Sequence, residues 1–288
     1  MAPTAAAGVQ HHPWDKAAEG WSRHSSLVNS WLHDVTVRML SSASIAEGGR
    51  VLDVAAGAGG QTIDIARRVG PGGAVLAVDI SARILQLASE NAHAAGVSNV
   101  TTQLADAQQL GLAGASFDAA VSRLGLMFCP QPVLALREMA AALRPGGRLA
   151  AVVFSQPQAN PCVAILMTTA LRHAGRTAAS PFEPGTLFSL GKPGVLAELL
   201  ELAGFSDIKV EPVTAPMHLP SSRHYLDFIR SSGSPIMEIL APLPVPAQND
   251  AWADMEEQLN RFTSADGWCG PNELLVGSGR LGAADATA

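Results

Sequence analysis

Between residues 50 and 155 the chain alternates short apolar, β-rich runs with Ala-rich stretches of helical spacing. The runs cover 50–55, 74–80, 100–104, 117–122 and 148–155; the helical patterns cover 60–69, 82–95 and 131–143. Strand–helix–strand repeats of this kind satisfy their backbone hydrogen bonds as a parallel sheet with helices across its faces. The runs are continuously apolar rather than alternating, which is what a sheet covered on both faces requires. Pro71-Gly72-Gly73 and Pro145-Gly146-Gly147 read as turns placed just before a strand.

The flanks extend this plan. Trp14, Trp21 and Trp31 recur with apolar neighbours at helical spacing across 13–44, which predicts two amphipathic helices. Beyond 155, helices are expected at 160–174, 193–203, 222–231 and 249–262, and strands at 207–214 and 273–278. Pro242, Pro244 and Pro246 read as a loop. The sum is an α/β chain with a doubly wound, mostly parallel seven-stranded sheet, N-terminal helices, and a helical cap built from insertions at 156–190 and 215–270. Residues 1–12 have neither the basic residues nor the apolar stretch of a secretory signal and are expected to be a disordered tail. Residues 13–288 are read as one domain, with 13–44 as a lid and 45–155 as the core.

Composition narrows the function. Apolar residues make up 48% and charged residues 15%, which favours a buried core over disorder. The net charge is -6, only Lys16, Lys192 and Lys209 are lysines, and no basic cluster stands out, so nucleic acid is not the expected partner. No apolar run approaches the ~18 residues of a membrane helix. The three cysteines fit neither a disulfide framework nor a zinc motif, so a reducing, cytoplasmic setting is expected and no metal. Whether two copies pair as a homodimer is left open.

The most informative local pattern is Val51-Leu52-Asp53-Val54-Ala55-Ala56-Gly57-Ala58-Gly59-Gly60-Gln61-Thr62, a strand running through a glycine-rich turn into a helix. Such a turn lets a ligand approach the backbone, and the helix N-terminus carries partial positive charge. A dinucleotide fingerprint would place a third glycine where Thr62 stands. Asp53, just before the loop, would oppose a pyrophosphate but could receive an ammonium group through water or a backbone turn. Asp79 ends the next strand, 20 residues beyond Gly59, the spacing of a ribose-binding carboxylate. Asp106 ends the third and could accept from an adenine amine. Two plainer roles compete: Asp79 as a helix cap, with Ser81 the other candidate cap, and Asp106 as a turn residue. The ligand so described has an amine, a ribose and an adenine, and no phosphate.

With these residues, 51–59, 77–81, 105–107, 117–122 and 143–149 resemble, in order and spacing, the class I S-adenosylmethionine-dependent methyltransferases of Rossmann-like fold. Within that class they are similar to the ubiquinone/menaquinone-type and other small-molecule methyltransferases. The resemblance implies S-adenosylmethionine as cofactor, S-adenosylhomocysteine as product and a small, hydrophobic organic acceptor. It implies that Asp53, Ala55, Gly57, Gly59, Gln61 and Thr62 hold the methionine part, Asp79 and Ile80 the ribose, and Asp106 and Ala107 the adenine. Ser122 and Arg123 end the fourth strand against the same crevice, and Leu126, Met127 and Phe128 are placed in the acceptor pocket. Trp14 and Trp21 resemble the family's aromatic segment that folds over the cofactor, where an aromatic face attracts a sulfonium. His24, His218 and Arg123 are the candidates for direct help with catalysis. An NAD-type oxidoreductase and a binding protein without catalysis remain the alternatives.

Overall fold

The computed structural model describes residues 13–177, 180–232 and 235–282. The tail expected at 1–12 lies outside the described residues.

Three helices open the described residues: α1 (Pro13–Arg23), α2 (Ser25–Trp31) and α3 (His33–Ser42). The periodicity predicts two. The chain bends at His24 and Leu32, which leave the helical well at φ -95°, ψ 15° and φ -94°, ψ 9°. The bends let Trp21 meet Phe228 while Trp31 meets Phe154. The alternating core follows: β1 (Arg50–Val54), α4 (Gly60–Val69), β2 (Ala74–Asp79), α5 (Ala82–Ala94), β3 (Val100–Leu104), β4 (Phe117–Arg123), α6 (Pro132–Ala142) and β5 (Leu143–Phe154). β5 begins five residues before the expected 148, because the Pro145–Gly147 turn is taken into the strand, with a register shift against β4.

The second half contains α7 (Pro161–His173), α8 (Val195–Leu202), β6 (Phe205–Thr214), β7 (Met217–Leu219), α9 (Ser222–Ser231), α10 (Pro235–Leu240), α11 (Val245–Leu259), β8 (Thr263–Ser264), β9 (Gly267–Gly270) and β10 (Glu273–Leu281). The proline-rich stretch is only partly a loop. Pro244 is the N-cap of α11 and Pro246 lies in its first turn, where a missing N–H costs nothing. α10 and the small sheet β7-β9-β8 have no counterpart among the expected elements, being too short to show a period.

The main sheet has seven strands in the order β3-β2-β1-β4-β5-β10-β6. Pairs among β3, β2, β1, β4 and β5 are parallel, and β10 runs antiparallel to both its neighbours. This is the mostly parallel, doubly wound architecture expected. Strand order reverses between β1 and β4, and the crevice beyond the C-terminal ends of such strands is where ligands bind in open α/β sheets. The central strands are dry: Leu52, Ala120, Val121 and the run from Leu149 to Val153 are all at or near zero exposure. α1 packs on α5 and α9, and α11 packs on α7 and α9. α1, α7 and α9 supply lining residues of the crevice, among them Trp14 and Trp21, Leu166, and Tyr225 and Phe228.

Candidate active site

The loop after β1 is built by backbone geometry. Ala55, Gly57 and Gly59 all take positive φ, at 58°, 57° and 86°. At Gly59 an added Cβ would also press on Ala88 of α5 at 3.2 Å, so only glycine satisfies both conditions. The N–H of Gly59 donates to Ala56 O and the N–H of Ala56 to Val78 O, which ties the loop to β2.

The sequence makes Asp53 a candidate to receive the ligand's ammonium group through water or a backbone turn. Its side chain instead lies under the loop, fully buried, and does not line the crevice. It accepts from Gln61 Nε2 at 2.8 Å and Thr62 Oγ1 at 2.6 Å, fixing the first turn of α4. Burial raises its pKa to about 6, opposed by those two hydrogen bonds and by the Arg123 charge. Thr62 is likewise a strut and not a lining residue, whereas Gln61 borders the cavity. Charged groups in a strand interior need a partner; here both partners come from the next helix, a pairing the sequence signals only through the Gln-Thr that follows the glycines.

Asp79 and Asp106 do line the crevice, with Ile80 and Ala107. Asp79 Oδ2 accepts from the Gly57 N–H at 3.0 Å and Oδ1 from the Ser81 N–H at 3.1 Å. The capping of α5 falls to Ser81, whose hydroxyl accepts from Ile84 N–H at 3.1 Å. Asp106 accepts from the Gln108 N–H at 2.8 Å, so it holds a turn and faces the cavity at once.

These groups border one cavity of about 500 Å³. Above it, Trp14 packs edge-on against Phe128 at 5.1 Å, and Trp21 against Phe228 at 5.7 Å. α1 is held in place by Asp15, which accepts from Ser81 Oγ and from the Arg83 N–H, and by an Arg83–Glu19 ion pair. Ala55, Gly57, Ser122, Arg123, Leu126, Met127 and Phe128 border the same space. Away from β1 the walls become apolar and aromatic: Trp31, Phe154, Leu166, Met217, Tyr225 and Phe228.

The two histidines do not join them. His218 points outward, because β7 alternates and Met217 takes the inward position. His24 stacks edge-on to Phe228 at 5.4 Å and stays out of the lining. Arg123 is the only cation among the described lining residues. Its Nη1 donates to Thr36 Oγ1 at 2.6 Å, and burial lowers its pKa to about 10, opposed by the Asp53 charge, so it stays charged at neutral pH. The cavity-lining Cys129 thiol is pushed up to about 11, chiefly by burial, and stays protonated. Asn272, which no local pattern singles out, lines the aromatic end; nothing short of the fold could have brought it there.

The arrangement suits a nucleoside joined to its amino-acid end without a phosphate. Carboxylates stand at the ends of β2 and β3, and Gly57 presents open space where a Cβ would stand. A diphosphate at the loop would face Asp79 with Arg123 already engaged by Thr36 and Asp53.

Comparison with known proteins leads the same way. Residues 45–178 match the family model described as a methyltransferase domain. The demethylmenaquinone methyltransferase of Geobacillus kaustophilus (strain HTA426) is 29% identical over 229 residues, 74% of this chain and 96% of that protein. The ubiquinone/menaquinone biosynthesis C-methyltransferase UbiE of Pseudomonas aeruginosa (strain LESB58) is 35% identical over 138 residues, 47% of this chain and 54% of its own. In fold, the YcgJ protein of Bacillus subtilis superimposes with a TM-score of 0.59 at 18% identity, covering 88% of this chain and 100% of that one. The matched stretch holds the glycine loop and the strand ends that border the crevice, so sequence and architecture agree: the chain is a class I S-adenosylmethionine-dependent methyltransferase. The relatives it resembles are named for menaquinone and ubiquinone methylation, and S-adenosylmethionine is its cofactor. Nothing among these likenesses favours an oxidoreductase.

Proposed function

We propose that the enzyme methylates a small apolar ring compound of the quinone type in its reduced, hydroxylated form, inside the cytoplasm. The observation that carries this reading is the cavity itself, polar at the β2–β3 end and aromatic at the β5 end. The relatives named for menaquinone and ubiquinone methylation add weight. The three cysteines are free thiols, in keeping with a reducing compartment.

In this reading Asp79, beside Ile80, holds the ribose, and Asp106, beside Ala107, the adenine edge. Ala55, Gly57 and Gln61 receive the methionine part, with Ser122 and Arg123 beside it; Gly59, expected there too, is outside the lining and packs against Ala88, so it shapes the loop. Asp53 and Thr62 act from beneath by holding the loop. S-adenosylmethionine, when bound, supplies the methyl group as a sulfonium. The protein's part is positioning: Leu126, Met127 and Phe128 with the aromatic walls align the acceptor, and aligned reactants need no further strong catalyst. Trp14 and Trp21 close the roof and keep water out, and an apolar surround favours loss of the sulfonium charge.

The test is transfer of labelled methyl from S-adenosylmethionine to fused-ring hydroquinones under anaerobic conditions, beside phosphoethanolamine as a polar acceptor. Turnover of the ring compounds is expected. Turnover of the polar acceptor alone would overturn the reading, and binding without turnover of any acceptor would favour a non-catalytic protein. Asp79→Ala should weaken S-adenosylhomocysteine binding by about 1–3 kcal/mol, the range for a lost charged hydrogen bond. An unchanged affinity in calorimetry removes the ribose assignment.

A further inference from the structure

Two buried side-chain oxygens of the described residues have no hydrogen-bond partner: Ser122 Oγ and Asn272 Oδ1. Ser122 sits at the end of β4 beside the glycine loop. Asn272 lies elsewhere. It precedes β10, which stands two strands beyond β4, about 10 Å at the usual spacing of neighbouring strands, and further still from Asp79 on β2. It therefore belongs to the aromatic end of the cavity and not to the cofactor end.

Everything around Asn272 is tied down. Its Nδ2 donates to Gly270 O at 3.1 Å, and its main-chain oxygen accepts from the Ala215 N–H at 2.8 Å. The next residue, Glu273, donates its N–H to Asn160 Oδ1 at 3.0 Å and accepts from Asn160 Nδ2 at 3.0 Å. Ala215 O in turn accepts from Trp31 Nε1 at 2.8 Å, which fixes one aromatic wall to the same knot. The amide orientation follows from its partner: exchanging nitrogen and oxygen would set two oxygens face to face at Gly270. Asn272 is only 3% exposed, so bulk water does not serve Oδ1. A buried acceptor left without a donor is costly, and the cost is recovered when a ligand brings one.

We infer that Asn272 determines acceptor specificity, its Oδ1 accepting a hydrogen bond from an O–H or N–H on the part of the methyl acceptor remote from the cofactor. This rests on the reading of the aromatic end as the acceptor's chamber. It adds a position to that reading: the ring compound must carry a donor at the end remote from the cofactor to be bound well.

The test uses 1-naphthol and 1-methylnaphthalene, alike in size and differing in the donor, titrated calorimetrically into protein saturated with S-adenosylhomocysteine. Asn272→Leu should lower the naphthol-to-methylnaphthalene affinity ratio about tenfold, the size of one buried hydrogen bond. Affinity for S-adenosylhomocysteine should stay within about twofold, since Asn272 is remote from the cofactor strands. Asn272→Ala should shift the ratio in the same direction and serves if the leucine does not fold. A ratio unchanged in the folded variant overturns the inference while leaving the ring-acceptor reading intact. Failure of the wild-type protein to bind either naphthalene overturns both.

Discussion

Asp53 is a buried carboxylate whose ionisation the fold resists, and this has a measurable consequence. Its pKa stands at about 6 against an ordinary 3.8. Below the lower value the group is protonated in both folded and unfolded chains, and its contribution to stability is fully present. As pH rises, the unfolded chain ionises first while the folded chain keeps its proton, so stability is lost until the folded pKa is passed. Each tenfold difference in proton affinity between the two states is worth about 1.4 kcal/mol, so the full loss is about 3 kcal/mol. About 2 kcal/mol of it falls between about pH 4.5 and pH 7.5. Asp53→Asn keeps the shape and removes the titration. The assay is urea unfolding of both proteins across that range. The other titrating groups are shared, so the difference in unfolding free energy isolates Asp53, and the wild type should lose about 2 kcal/mol relative to the variant as pH rises. A flat difference would show that the Gln61 and Thr62 hydrogen bonds and the Arg123 charge fully offset burial. A difference that grows in favour of the wild type would reverse the sign of the argument.

Two further outcomes follow from the same geometry. A Cβ on Gly125 would stand 2.2 Å from Ala55 Cβ, and Ala55 is already at positive φ, so Gly125→Ala should destabilise the fold by about 1–3 kcal/mol and weaken S-adenosylhomocysteine binding; unchanged melting and affinity would refute this. Asp15→Ala removes the acceptor that α1 offers to Ser81 Oγ and the Arg83 N–H, so hydrogen exchange in α1 should quicken while β1 and β4 keep their protection; equal protection in α1 would show that its apolar face alone holds it.

Much of the cofactor half is legible along the chain. Its strands are apolar runs, its loop declares itself by glycines, and Asp79 and Asp106 stand where strands end. All of these are local patterns, and strand ends on one edge of a parallel sheet are neighbours by construction. Asp53 departs from its expected role because strand position gives the neighbourhood of a side chain but not its partners. His218 departs from its own because the two-residue alternation of a three-residue strand is invisible without its neighbours.

The amino-acid sequence by itself determined the alternating α/β plan, the glycine loop and the kind of ligand that loop can accept, since each is written in residues close along the chain. The tertiary structure alone decided the aromatic end of the cavity. Trp31 meets Ala215 across 184 positions, and Asn160 meets Glu273 across 113. Contacts at such separations leave no periodic trace in sequence. They form only when the sheet brings β5 and β10 side by side and the later helices fold back over them.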